Sequence, residues 1–476
     1  MRLRYNYRLY PAPGQRMALA RAFGCARVVF NDGLRARQQA YRDGLPYLKD
    51  ADLQRRVITE AKKTGERAWL AEVSSVVLVQ ALNDLHAAYR NFFASATGRR
   101  MGAKVAPPRF RSRKGNRQAI RLTRNGFCVR PNGRLFVAKV GELAVRWSRA
   151  LPCEPSSVTV IKDAAGRYFA SFVVETTQQD LPGTGREVGI DLGLSHFAVL
   201  SDGRKISSPR FLRRAERKLK RAQRDLSRKQ KGSNNRKKAV RRVARRHARI
   251  ADARREFHHQ LSSWLIRDNQ AVYAETLNIR GLARTRLAKS VHDAGWAAFV
   301  GMLESKANRY GRVFTKVPRT FASSQICSTC GHRDGPKPLH VRAWSCTACG
   351  TRHDRDHNAA INILHEGQRI NSNRSNVAAG RQAAPAMGRE AETLNACGDQ
   401  VRPPFAVAQV VEPGTHQKPM AARSATGRLE SPPLRARRTS KTPEFPVESP
   451  SPRMAIRKEP GEGTWTSTRS RCSNGS

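Results

Sequence analysis

The first residues, "MRLRYNYRLYP", alternate apolar and polar positions with a period of two, which predicts a strand with one buried face. From Gln15 to about Thr97 the period lengthens to that of helices. Leu19, Ala22, Phe23 and Ala26 share one face, and "VVLVQALNDLHAAYRNFFAS" continues the pattern. "APPRFRSRKGNRQAIRL" reads as a basic loop. Short runs at 135–137, 143–145, 158–161 and 168–175, separated by Gly and Pro, predict a small β-barrel. Strands on both sides of the helical stretch predict that the helices are inserted into that barrel.

"TTQQDLPGTGRE" predicts a linker, and a second, α/β unit begins at Val188 and ends near Leu364. Its expected strands are 188–190, 197–200 and one through Val272 and Tyr273. A closing helix carries Ala360, Ile363 and Leu364 on one face. Within this unit, residues 210–256 predict a helical hairpin. Leu212, Ala215, Leu219, Ala222 and Leu226 form one stripe, "GSNN" (232–235) breaks it, and Val240, Val243, His247 and Ile250 form the second. From Gly367 the pattern fades. The last 110 residues hold 12 of the 25 prolines, and such a composition buries too little surface to offset chain entropy, so 367–476 is expected to be a disordered tail.

Charge changes this picture. The 476 residues carry a formal net charge of +52, and the excess lies ahead of the tail, with 72 basic and 28 acidic residues in the first 366. A globule so charged is suited to lie against a polyanion. No long apolar run or secretory signal points to a membrane, and a reducing, cytoplasmic setting close to the nucleoid is expected. The hairpin is the extreme case, with 21 Lys and Arg against four acids. So few acids leave no internal ion-pair network, which predicts contact with nucleic-acid backbone through Lys237, Lys238, Arg241, Arg242, Arg245 and Arg246.

Two constellations carry chemistry. Cys327, Cys330, Cys346 and Cys349 form two C-x2-C pairs fifteen residues apart, a spacing that closes a tetrahedral Zn²⁺ shell. All four positions are filled by protein, so the zinc is expected to be structural. The second constellation is acidic. Asp191 ends an apolar strand in "REVGIDLGLSHFAVL", Glu275 ends another in "QAVYAETL", and Asp356 lies on the apolar stripe of the helix in "RHDRDHNAAINIL". A carboxylate at the mouth of a buried strand is costly unless it holds a metal or a hydrogen bond. Three of them on separate segments are what two Mg²⁺ ions need to clamp a phosphodiester. Asp354 reads instead as a helix cap and Asp202 as a turn residue.

"GIDLGLSHFAVLSDG", "AETLNIRGL", "SSQICSTCG", "CTACG" and "DRDHNAAINIL" together resemble the RuvC-type nuclease and zinc ribbon of the TnpB family, transposon-associated relatives of type V CRISPR effectors. The segment "YRLYPAPGQRMALARAFGCARVVFNDGL" is similar to that family's opening region. The resemblance covers about residues 1 to 364. It implies a multidomain α+β protein with a wedge β-barrel (1–10 and 98–180), an inserted helical recognition domain (11–97), an RNase-H-like RuvC domain (186–326 and 351–366) and a zinc ribbon (327–350). It also implies an RNA-guided DNA endonuclease that takes a guide RNA encoded at the transposon end and cuts double-stranded DNA beside a short adjacent motif. Asp191, Glu275 and Asp356 match the catalytic, Mg²⁺-binding acids. A non-cleaving RNA-guided regulator and a DNA-binding transposition accessory protein are the competing readings, and the complete acid triad favours the nuclease.

Overall fold

The structure is a computed structural model that describes residues 1–379 apart from 116 and 339, with residues 374–379 described by backbone alone. Strand β1 (Arg2–Tyr10) buries Leu3, Tyr5, Tyr7 and Leu9 on one face and turns Arg4 and Arg8 to the other. Helix α1 (Pro13–Arg42) opens with Pro at its first turn, where a missing N–H costs nothing. Helix α2 (Asp50–Gln54) and a π-helical stretch over 55–60 lead to α3 (Ser75–Ala96). The two long helices meet closely at Gly33, where a Cβ would stand 2.8 Å from a Leu82 methyl.

The chain then returns to the sheet as β2 (Gln118–Thr123), β3 (Phe127–Val129), β4 (Leu135–Val137), β5 (Gly141–Arg146), β6 (Ser157–Lys162) and β7 (Tyr168–Glu175). The seven strands are antiparallel, in the order β2-β6-β7-β1-β5-β4-β3, so β1 sits in the middle. Pairing stops at β2 and β3, and the expected barrel is a curled open sheet. Helices take the place of closure. Leu19, Leu34, Leu78 and Leu82 share one core with Leu122, Phe127 and Val137 of the sheet. Part of the expected basic loop is itself strand β2, whose Ile120 and Leu122 are buried. The preceding run of Arg and Lys hides that short alternation.

The second unit has strands β8 (Glu187–Asp191), β9 (His196–Leu200) and β10 (Lys205–Ser207), helices α4 (Phe211–Ser227) and α5 (Asn234–Asp268), and strand β11 (Ala271–Glu275). Helices α6 (Ile279–Leu282), α7 (Ala288–Ala294) and α8 (Trp296–Arg309) lead to β12 (Val313–Val317). The hairpin β13 (Ala343–Ser345) and β14 (Arg352–Asp354) precedes α9 (Arg355–Ala379). The five-stranded sheet has the order β10-β9-β8-β11-β12, with β8, β11 and β12 parallel and β9 and β10 antiparallel.

Alternation along the parallel strands sorts their residues. Val188, Ile190, Val272 and Ala274 pack with Leu265, Phe299 and Leu303 of α5 and α8. Residues of opposite parity (Gly189, Asp191, Tyr273 and Glu275) fall on the other face, where Ala271, Tyr273 and Val317 pack with Ile363 of α9.

Two expected boundaries move. Helix α5 does not stop at 256 but continues to Asp268, because Leu261, Leu265 and Ile266 belong to the sheet's core. Helix α9 continues past 366 to Ala379, so the expected start of the tail falls within it. Gly367 lies against the Tyr273 ring, and Gln368 Nε2 donates to Glu187 Oε2 at 2.6 Å. Those partners are invisible to an apolar pattern. Residues 380–476, the remainder of that expected tail, lie outside the described residues. No described helix is long and apolar enough to cross a membrane.

Candidate functional site

Asp191 and Glu275 are the last residues of adjacent parallel strands whose register pairs Ile190 with Ala274. The two carboxyl groups lie close enough for each to shift the other's ionisation. Burial first, then the charges of Glu275 and Asp356, pushes Asp191 well above the usual carboxylate range. Burial pushes Glu275 up to about 7, against the pull of the Leu192 N–H, which donates to its Oε1 at 3.2 Å. A cleft of about 260 Å³ opens beside Glu275, lined by Asn278, Arg319, Phe321 and Ser323 among others.

Asp356 comes to this edge on the first turn of α9. Gly189 makes the approach possible: a Cβ there would stand 2.2 Å from the Ala360 carbonyl oxygen and 2.6 Å from the Leu364 nitrogen. Asp191 is two residues along the same strand face from Gly189, and Asp356 is one helical turn before Ala360. The close contact of strand and helix therefore brings Asp356 toward the pair. Its oxygens accept hydrogen bonds at 3.1 and 3.2 Å from Arg342 Nη1, while Arg342 Nη2 donates to Ser195 Oγ at 3.1 Å. Among the described residues, the group of potential metal ligands lying within 4.8 Å of one another is the four cysteines, not the three acids. Asp354 accepts the N–H groups of Asp356 and His357 at 3.1 and 3.0 Å and so caps α9. Asp202 accepts the Arg204 N–H at 3.0 Å within its turn.

The cysteine module is built from two tight turns. The N–H of Gly331 donates to the Cys327 carbonyl and that of Gly350 to the Cys346 carbonyl, each at 2.9 Å, with both glycines at positive φ. The sulfurs of Cys327 and Cys349, and those of Cys330 and Cys346, are 3.7 Å apart. A tetrahedral Zn²⁺ with bonds of about 2.3 Å needs sulfur–sulfur edges of about 3.8 Å, so the cluster fits the ion. Asn358 fastens the module to α9, accepting from the Ser328 N–H at 2.9 Å and donating to the Ile326 carbonyl at 2.7 Å. Asn362 donates to the same carbonyl at 2.7 Å. The run Asn-Ala-Ala thus has a physical reading: an asparagine ties down the ribbon and small residues let α9 touch β8.

The basic hairpin is capped at its turn by Ser233, which accepts the Arg236 N–H at 3.1 Å. Leu219, Ala222, Val243 and Ile250 pack between α4 and α5, whereas Val240 of the expected stripe is exposed. Lys237, Lys238, Arg241, Arg242 and Arg245 are exposed and Arg246 is half-buried. Sequence reasoning missed Gly189, Ser195, Arg342 and Asn358, because each acts through a contact with a distant segment.

Three family models match separate parts of the chain. One described as "Probable transposase" of the IS605 OrfB type matches residues 171–286, and one described as "Cas12f1-like, TNB domain" matches 296–363. One described as "Helix-turn-helix domain" matches 1–45, where the structure has β1 and the single helix α1. A Streptomyces pristinaespiralis protein named "Putative RNA-guided DNA endonuclease" is 43% identical over 89% of this chain and 98% of its own. The InsQ protein of Escherichia coli K12, which bears the same description, is 29% identical over 77% of this chain and 92% of its own. Among solved structures, a Cas12f1 chain in complex with sgRNA and target DNA has a TM-score of 0.42 at 14% identity, covering 74% of this chain and 83% of that one. On its identity to the Streptomyces protein across nearly the whole length of both, the chain belongs to the IS605 OrfB, or TnpB, family.

Proposed function

We propose that the protein is a Mg²⁺-dependent, RNA-guided DNA endonuclease encoded by an insertion-sequence-type transposon. Its guide RNA would be encoded at the transposon end, and its target would be double-stranded DNA beside a short motif read by the protein. The observation that carries the reading is the carboxyl pair. Asp191 and Glu275 lie half-buried at the carboxyl ends of adjacent parallel strands, where open α/β sheets place ligands. Desolvation there disfavours two adjacent negative charges, a cost that a bound cation would offset. The five-stranded sheet is the RNase-H-like, RuvC-type nuclease core in this reading. The two relatives named as RNA-guided DNA endonucleases support it over most of the chain.

Asp191, Glu275 and Asp356 would hold the ions, which when bound supply positive charge to the attacking and leaving oxygens of a phosphodiester. This chain's own residues do the rest. The pair sits half-buried beside the cleft, and the Leu192 N–H orients Glu275. The Asp354 cap fixes the turn that carries Asp356. One structural Zn²⁺ on the four cysteines would hold the ribbon firm against α9. Lys237, Lys238, Arg241, Arg242, Arg245 and Arg246 would neutralise nucleic-acid phosphates.

The test is to purify the protein with its copurifying RNA, sequence that RNA, and challenge a plasmid carrying the matching target in Mg²⁺. Asp191→Ala, Glu275→Ala and Asp356→Ala should each abolish cutting while leaving RNA affinity within about twofold. A random RNA mixture, or cutting that survives all three substitutions, refutes the reading.

A further inference from the structure

We infer that Arg342 is a positioning residue for the last carboxylate: the ribbon lends its guanidinium to hold Asp356 while the acid site carries no divalent cation. The inference rests on the metal reading above. Arg342 is fixed at both ends. At its root, its carbonyl accepts the Arg355 N–H at 2.8 Å, and the next residue, Ala343, pairs with Asp354 in the β13–β14 ladder. At its tip, one nitrogen reaches both oxygens of Asp356 and the other reaches Ser195 in the turn that follows Asp191. One side chain therefore spans the ribbon, the first turn of α9 and the β8–β9 turn. A planar fork suits this task, since it serves two partners in fixed directions, which a lysine ammonium does not.

Asp356, held by this contact, is not gathered with Asp191 and Glu275 into one cluster of ligand atoms. Both oxygens of Asp356 are engaged by Arg342, so a divalent ion that draws on Asp356 shares those oxygens with the guanidinium or displaces it. A unit positive charge held this close also repels a dication. Arg342 thus keeps Asp356 oriented at the cost of weaker cation binding, and the ribbon takes part in loading the site. The side chain is 55% exposed, so its removal leaves no buried void.

The experiment uses the full-length protein with its bound RNA and Fe²⁺ as the probe. With ascorbate and peroxide, bound Fe²⁺ cuts the nearby polypeptide, so scission at β8 and β11 against Fe²⁺ concentration reads occupancy at this site alone. Asp191→Ala defines the background. Arg342→Ala should reach half-maximal scission at about tenfold lower Fe²⁺ than the unaltered protein, with Arg342→Lys between them and melting temperatures within about a degree. Unchanged or weaker Fe²⁺ binding in Arg342→Ala overturns the inference while Asp191-dependent scission leaves the metal reading standing. Scission that ignores Asp191 overturns both.

Discussion

Replacing Gly189 by Ala adds one methyl group where β8 and α9 touch. The new carbon would stand 2.2 Å from the Ala360 carbonyl oxygen, 2.6 Å from the Leu364 nitrogen and 2.9 Å from its Cβ. A relaxed carbon–oxygen contact is about 3.3 Å or more, so strand and helix must part by about 1 Å. Two of the three atoms are backbone, and no side-chain rotation relieves them. Overpacking of this kind costs about 1–3 kcal/mol, offset in part by the roughly 0.5–1 kcal/mol that alanine gains over glycine in chain entropy. The larger effect falls on the site. Asp356 rides on the displaced turn, and a misplacement of about 1 Å can cost about a hundredfold in rate.

Single-turnover cleavage of a target plasmid by the RNA-loaded protein measures that loss, and thermal unfolding measures the packing cost. Affinity for the guide RNA should stay within about twofold, since no part of the basic hairpin moves. Gly24→Ala is the control. It lies inside α1 with nothing within 4 Å of a built Cβ, and should be neutral or slightly stabilising. A Gly189→Ala protein that melts and cuts like the parent would falsify the placement of α9 on β8, and with it the assignment of Asp356 to the site.

Other perturbations test neighbouring parts. Glu275 keeps its proton up to about pH 7 when folded and releases it near 4.5 when unfolded, so the magnesium-free protein should lose stability as pH rises between those values and level off above. Glu275's share of that loss is at most about 3 kcal/mol, and Glu275→Gln should remove that share while Asp191 keeps its own; a stability gap between variant and parent that is the same at pH 5 and pH 7.5 refutes this. Metal analysis should find about one Zn per chain, and Cys349→Ser should lower both the melting temperature and cleavage, because closed zinc sites contribute folding energy. Zinc-free protein of unchanged stability and activity would dismiss the structural role. Reversing the charge of Arg241, Arg242, Arg245 and Arg246 should reduce RNA affinity and flatten its salt dependence without changing Fe²⁺ scission at β8. A chain ending at Ala379 should melt like the full-length protein, whereas one ending at Glu366 should melt lower, having lost the Gln368–Glu187 bond and the Gly367 contact; equal melting of the two would show the end of α9 to be dispensable.

Much of the architecture is readable from local pattern. β1 follows from strict alternation, α1 from its stripe of Leu19, Ala22, Phe23 and Ala26, and the hairpin from two stripes and a Gly-Ser break. What escapes is set by partners far along the chain. Strand β2 is short and follows a run of basic residues, and its stabilisation comes from β6 and α3. The last turns of α9 contain Gly367 and Asn371, poor helix material alone, and are held by the Tyr273 contact and the Gln368–Glu187 bond to the sheet. Closure of the barrel is likewise a long-range matter: alternation identifies strands but not whether the first and last of them meet.

The acids illustrate the same division more sharply. Strand-end position marks Asp191 and Glu275 as costly residues, and that cost is visible in sequence because the flanking residues are apolar. In the sequence Asp356 is set apart from Asp354, two residues away, only by the helical period that puts it on the apolar stripe and leaves Asp354 as the cap. Asp354 then turns back to the N–H groups of its own helix, while Asp356 faces the pair. The residue that decides this is Gly189, since only a residue without a side chain lets α9 come down far enough. A glycine inside an apolar strand ordinarily weakens it, and here it sets the distance between two carboxylates on one sheet and a third on the helix packed against it. The reach of Arg342 follows from that same distance, because Ser195 and Asp356 lie within one guanidinium of each other only while α9 is seated on β8.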